Sequence, residues 1–350
     1  MIRSWSLIGK NEPTRTVFLR KADQKFNVYN EINCFRYIVY KIFAMKYILN
    51  FNLLVIVLLF NSMCIQAQES NIIKTDLGDI HYIIIGEGDP VLIINGGPGF
   101  NCEGFLPMAT QIADMGYQTI LYDQRGTGKS KIASKDESTV TLDFMIADIE
   151  EIRKNLELKE WNILGHSFGG MLANYYASKF PERVKSMIAS SSGGMDLSLL
   201  HNTRSNIRSK LTSVERDSLD YWQSQLNSGN RVDHARIRRA KYMAAAYVYH
   251  DEHVPVVAKR LTQGDMNLNR IVWSDMRSKN FDCKQALSNF TAPVLIIQGA
   301  DDILDMQVAE VAHETLMNSS LVKLKNCGHY GWLDAPDQYF RVIHNFLKEL

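Results

Sequence analysis

Trp161-Asn162-Ile163-Leu164-Gly165-His166-Ser167-Phe168-Gly169-Gly170 is the stretch whose reading decides the fold. An apolar strand over Trp161–Leu164 runs into G-x-S-x-G, and a helix over Phe168–Phe180 follows without a break. Small residues around a serine at such a junction allow a sharp turn. That turn lifts the hydroxyl above the strand end and aims it at the start of the helix. The bland reading is a structural Gly-rich turn; the strand before and the helix after favour a nucleophile. A hydroxyl is a poor nucleophile at neutral pH, so Ser167 needs a base and a group that orients that base.

Outward from this turn, short apolar runs recur: Val91–Ile94, Gln118–Tyr122, Val184–Ala189, Pro293–Gln298 and Leu321–Leu324. Runs of that length without polar alternation suit strands buried on both faces. Helical patterns lie between them at Glu103–Met115, Leu142–Leu158, Met306–Met317 and Asp337–Leu350, and a hairpin over Ile72–Thr75 and Ile80–Ile85 precedes them. Strand and helix in alternation predict an α/β fold, a mostly parallel sheet flanked by helices. Its ligand site belongs at the carboxyl ends of the strands. The rhythm breaks between Met195 and Phe290, where amphipathic patterns such as Val214–Leu226 and His234–Tyr249 predict helices and no strand. We read 195–290 as a helical cap inserted into a core made of 68–194 and 291–350.

The base should follow a late strand. His329, in Asn326-Cys327-Gly328-His329-Tyr330, does so. The orienting acid should follow the strand before it, where Gly299-Ala300-Asp301-Asp302 stands; Asp302 is the candidate, with Asp301 and Asp305 as alternatives. His166 is expected to pack beside the turn, and the other seven histidines to be surface or core residues. An acyl-transfer site also needs donors for the developing oxyanion. The backbone N–H of Phe168, at a helix N-terminus, is one. Gly97 is the candidate for the other, since Asn95-Gly96-Gly97-Pro98-Gly99 follows an early strand and Pro98 has no N–H; a purely structural tight turn is the alternative.

Other chemistries lack their residues. Gly128-Lys129-Ser130 ends like a phosphate loop, but Asp123 occupies the position where its first glycine is required. We read Asp123 and Arg125 as a charged pair that fixes this turn. There is no H-E-x-x-H and no C-x-x-C, so zinc hydrolysis has no ligand set, and the serine chemistry requires no cofactor. The chain of 350 residues holds 39 Lys+Arg and 38 Asp+Glu. Residues 68–350 carry 30 basic and 35 acidic residues, a net charge of −5, which argues against a nucleic-acid partner. Five cysteines are too few for a disulfide scaffold. Of Cys102, Cys283 and Cys327, buried thiols are the expectation, with a Cys102–Cys327 bridge as the alternative.

Lys46, the apolar stretch densest over Leu53–Phe60 and the small residue Ala67 read as a signal peptide over 45–67 cleaved after Ala67. This predicts a periplasmic or secreted protein with no membrane span after cleavage; a membrane anchor is the alternative. Residues 1–44 read as an upstream extension.

Taken together, Asn95-Gly96-Gly97-Pro98-Gly99, Asp123-Gln124-Arg125-Gly126 with Gly128 and Ser130, and the Gly165–Gly170 turn resemble the α/β-hydrolase fold and, within it, the proline iminopeptidase (prolyl aminopeptidase) family. The resemblance covers roughly Ile72–Leu350, and the cap matches least. It implies Ser167 as nucleophile, Asp302 and His329 as its partners, and Gly97 and Phe168 as oxyanion donors. It further implies release of an N-terminal residue, often proline, from small peptides. The chain departs from the family at Asn95, where His is usual, at Phe168, where many members have Trp, and at Ile303, where an acid that holds the substrate amine often stands. Glu215, Glu252, Asp265 and Asp275 in the cap are the candidates for that amine, since an unpaired ammonium in a closed pocket is costly; a solvated surface position is the alternative for each. The same machinery suits a carboxylesterase or lactonase, and the same fold a non-catalytic ligand binder.

Overall fold

Val91 to Ile94 illustrates how the sheet is covered. Leu92 and Ile94 pack with one set of core residues and Val91 and Ile93 with another, all four fully buried. A period of two in side-chain direction puts a four-residue apolar run onto both faces at once, so helices are required on each side. We analysed a computed structural model that describes residues 40–47, 68–229 and 232–350. The chain divides into two units, Met1–Gln66 and Ala67–Leu350. In the first, 40–47 is helical; nearly all of the segment read as a signal peptide lies outside the described residues.

The second unit holds eight strands: β1 Gln68–Thr75, β2 Gly78–Ile85, β3 Asp89–Ile94, β4 Tyr117–Tyr122, β5 Trp161–His166, β6 Val184–Ser190, β7 Val294–Gly299 and β8 Ser319–Leu324. Their order is β1-β2-β4-β3-β5-β6-β7-β8. The β1–β2 and β2–β4 pairs are antiparallel and the remaining five parallel. β8 departs from the expectation of a strand buried on both faces: as the sheet edge it keeps only Leu324 buried.

Its helices are α1 Leu106–Ala113, α2 Leu142–Asn155, α3 Phe168–Lys179, α4 Thr203–Lys210, α5 Ser213–Asn227, α6 Val232–Ala245, α7 Val254–Leu261, α8 Met266–Ser278, α9 Lys284–Leu287, α10 Met306–Thr315, α11 Gly331–Asp334 and α12 Pro336–Lys348. α1 and α12 cover one face, the latter with Tyr339, Ile343 and Leu347 at a helical spacing of four. α2, α3 and α10 cover the other. Each buried aliphatic side chain contributes roughly 1.5–3 kcal/mol.

Between β6 and β7 the described residues form helices α4 to α9. They are not a separate layer. Leu268, Ile271, Val272 and Met276 of α8 join the same apolar cluster as Leu92 and Trp161, while Ile207, Leu211 and Leu219 form a small cluster with Ile303 and Leu304. α8 is therefore part of the core although its sequence lies within 195–290.

Candidate active site

Ser167 stands between β5 and α3 with φ 56 and ψ −120, a backbone conformation that costs a non-glycine residue about 1–3 kcal/mol. Its surroundings hold it there. The Ser167 N–H donates to Ser190 O at 3.0 Å, and Ser167 O accepts from Gly170 N and Gly193 N, each at 3.0 Å. A Cβ on Gly169 would collide with the carbonyl oxygen of Ile94, so the helix start reaches this close to β3 only with glycine there.

Asp302 and His329 come from the ends of β7 and β8. His329 Nδ1 donates to Asp302 Oδ1 at 2.7 Å. Asp302 also accepts from Gln298 Nε2 at 2.8 Å and from Leu304 N at 3.1 Å, and both residues are buried. The His329 N–H donates to Tyr247 O at 2.7 Å, which ties the imidazole's backbone to the segment after α6. With Nδ1 engaged, Nε2 is the free ring atom. Ser167 and His329 line one cavity of about 480 Å³ together with Gly97 and Phe168. Asp301 lies in the same turn, while Asp305 accepts from Asn202 and Asn206. His166 packs under the site with its ring centroid 4.7 Å from that of His329. Burial foremost, then the neighbouring His329 and Arg260, holds the His166 imidazole far below its ordinary range, so it adds no charge beside His329.

The Asn95–Gly99 loop closes the cavity from the end of β3. Gly97 has φ 70, and a Cβ there would meet the Phe100 ring at 2.6 Å. Asn95 Nδ2 donates to Gly96 O and Phe100 O at 3.2 and 3.1 Å. Arg260 of α7, which the sequence did not single out, reaches the same loop: it donates to Gly96 O at 2.9 Å and Asn101 O at 3.2 Å. Its guanidinium lies over the rings of Phe105 and Phe100, 4.6 and 5.3 Å from their centroids. Asp334, also unforeseen, accepts from Gly328, Tyr249 and His250 N–H groups at 2.9, 2.9 and 3.1 Å. It joins the His329 loop to the segment that precedes α7. Neither residue carries a local sequence signal.

Two expectations need correction. The candidate amine ligands do not line the cavity. Glu215 closes a capping box with Thr212 at the start of α5, Asp275 caps α2 by accepting from Leu142 N at 2.8 Å, and Glu252 is exposed beside His253. Asp265, likewise, caps α8. Each carboxylate is engaged by a helix end or by solvent, which local pattern alone does not reveal. Second, Asp123 and Arg125 do not pair with each other: Asp123 faces His81 Nδ1 at 2.8 Å, and Arg125 pairs with Asp148. The cysteines are as expected: Cys102, Cys283 and Cys327 are free buried thiols and the alternative bridge is not formed; burial pushes Cys283 up to about 12 and raises the other two as well.

A family described as the alpha/beta hydrolase fold matches residues 89–336. The proline iminopeptidase of Saccharolobus solfataricus is 26% identical over 284 residues, covering 77% of this chain and 88% of that protein. That of Heyndrickxia coagulans is 28% identical over 273 residues, covering 76% and 92%. Among solved structures, the proline iminopeptidase of Mycobacterium smegmatis superposes with a TM-score of 0.65 at 19% identity, over 80% of this chain and 98% of that one. An esterase from Exiguobacterium antarcticum does so at 0.62 and 21%, over 80% and 100%.

Proposed function

Because this chain belongs to the alpha/beta hydrolase fold family, we propose that it is a serine hydrolase of the prolyl aminopeptidase type, acting on small peptide or amide substrates. The observation that carries this reading is the Asp302–His329 hydrogen bond of 2.7 Å on the wall of the cavity that also holds Ser167. Similarity to the named peptidases supports the substrate class.

In this reading the Ser167 oxygen attacks the substrate carbonyl while His329 Nε2 takes its proton. Asp302 holds the tautomer that leaves Nε2 free to accept, and stabilises the imidazolium. The N–H groups of Gly97 and Phe168 receive the oxyanion, a contribution on the order of 3 kcal/mol per donor in a comparable hydrolase. His329 then returns the proton to the leaving group, and water repeats the sequence on the acyl-enzyme.

Ser167→Ala is expected to lower kcat on proline naphthylamide by on the order of 10⁶ without changing the thermal unfolding midpoint. Turnover near that of the wild type would end the assignment. A second reading, a carboxylesterase-like enzyme for esters or N-blocked amides, is favoured by the lack, among the described residues, of any carboxylate on the cavity wall. Comparing proline naphthylamide with its N-acetyl derivative and with p-nitrophenyl butyrate separates the two, because only the first needs a counter-ion for a free amine.

The sequence 45–67 further leads us to propose export. Cleavage after Ala67 would leave a chain that opens on Gln68, the first residue of β1. N-terminal sequencing of the protein recovered from its native compartment tests this, and an uncleaved terminus would refute it.

A further inference from the structure

Among the described residues, the cavity above Ser167 has cationic side chains and no anionic one. Two arginines face it, Arg260 and Arg239, and they differ in what they already hold. Arg260 is fully engaged by Gly96 O, Asn101 O and two aromatic rings. Arg239, on α6, donates Nε to Gln223 Oε1 at 2.5 Å, and among the described residues no ion pair joins its guanidinium to a carboxylate. Burial without a compensating anion pushes its pKa below the ordinary arginine value. A part-buried guanidinium lacking a counter-ion loses hydration without compensation, whereas its planar fork matches a carboxylate in bidentate fashion.

Arg239 also borders a second cavity of about 600 Å³, which shares Leu200, Thr203 and Met243 with the first. That recess adds Arg204 and Arg208 and a single carboxylate, Asp220, which is already taken by Arg208 at 2.7 and 3.1 Å. Arg208 and Asp220 offset each other, so Arg204 and Arg239 leave this recess net cationic, which draws anions toward Arg239 and repels ammonium groups.

We propose that Arg239 seats a carboxylate of the substrate, so that this enzyme selects small substrates bearing a free carboxylate over their neutral counterparts. The inference rests on the reading of Ser167 as the nucleophile and narrows it. The carboxylate can stand on either side of the cleaved bond: the C-terminus of a short peptide, or the far end of a dicarboxylic acyl group. In either case it approaches a guanidinium whose Nη groups have no carboxylate partner among the described residues.

Two substrate pairs test the idea through ratios of kcat/KM. Prolylglycine against prolylglycinamide places the charge on the leaving group; mono-p-nitrophenyl succinate against p-nitrophenyl butyrate places it on the acyl group. We expect the wild type to prefer the carboxylate-bearing member of one pair by roughly 10- to 100-fold, as charge-assisted hydrogen bonds to a guanidinium allow. Arg239→Gln should bring that ratio close to one, and Arg239→Lys should leave it between the two. A general loss of folding lowers both members alike and leaves the ratio unchanged, so the ratio reads the contact itself. Equal treatment of both members by the wild type in both pairs overturns the proposal, as does a preference that survives in Arg239→Gln. Succinate and prolylglycine as competitive inhibitors of p-nitrophenyl butyrate turnover give the same answer from binding alone, and inhibition no stronger than that by their neutral amides counts against it. The hydrolase reading fails separately, by activity that persists in Ser167→Ala.

Discussion

Asp302 uses one carboxylate oxygen for His329 Nδ1 and the other for Gln298 Nε2. Asp302→Asn therefore nearly keeps the shape and removes the charge. We expect kcat to fall by on the order of 10⁴ while the unfolding midpoint stays within a few degrees, as read by steady-state kinetics beside calorimetry. This part of the site was legible in the sequence because strand ends are where such a fold carries its chemistry, and Ser167, Asp302 and His329 each follow an apolar run. The thiols make a second residue-scale case. Spacing did not decide between a Cys102–Cys327 bridge and buried thiols, since pairing depends on separation in space. With both free and their pKa values raised by burial, the chain lacking residues 1–67 should react with Ellman's reagent only after denaturation, and then at three thiols. A single reactive thiol would mean that the bridge exists.

At the scale of elements, most of the strands and helices were visible in apolar periodicity, but their limits were set by partners. β1 begins at Gln68, four residues before its apolar pattern, because Gln68 pairs with Ile85 across the hairpin. α1 starts after a short 3-10 turn at Glu103–Phe105, which periodicity merges into one helix. The turn after β4 shows the same limit. Asp123 lies two residues from Arg125 in sequence, yet it binds His81 of β2 and the N–H groups of Cys102 and Lys129 at 3.0 and 2.8 Å. A buried acceptor joining β2, β4 and the segment leading to α1 leaves several donors unpaired when it is lost. We therefore expect Asp123→Asn to lower unfolding free energy by about 3 kcal/mol, measured by urea titration. Arg125→Gln should act through Asp148 instead, so the two losses should add within experimental error, because the two side chains share no partner.

Across the whole molecule, the insertion and the core are one structure. α8 fills the core beneath the sheet, and Arg260 of α7 reaches Gly96 across 164 residues of sequence. No sequence pattern announces such a contact, because an arginine on an amphipathic helix looks like any solvated charge. On the proposed mechanism Arg260 would act through the loop that carries Gly97: two of its N–H groups hold Gly96 O and Asn101 O, and its plane rests on Phe105 and Phe100. Arg260→Lys keeps the charge but loses the fork and the stacked plane. The Gly97 N–H would then lie out of line with the developing oxyanion, and small misplacements of positioning groups cost up to about 10²-fold in rate. We expect kcat to fall at least tenfold with KM changed less than twofold, assayed well below the unfolding transition. A purely structural arginine would lower the unfolding midpoint and leave kcat per folded molecule unchanged. Measuring both quantities on the same preparation therefore distinguishes a positioning residue from a packing one, and a kcat equal to the wild type would assign Arg260 to packing alone.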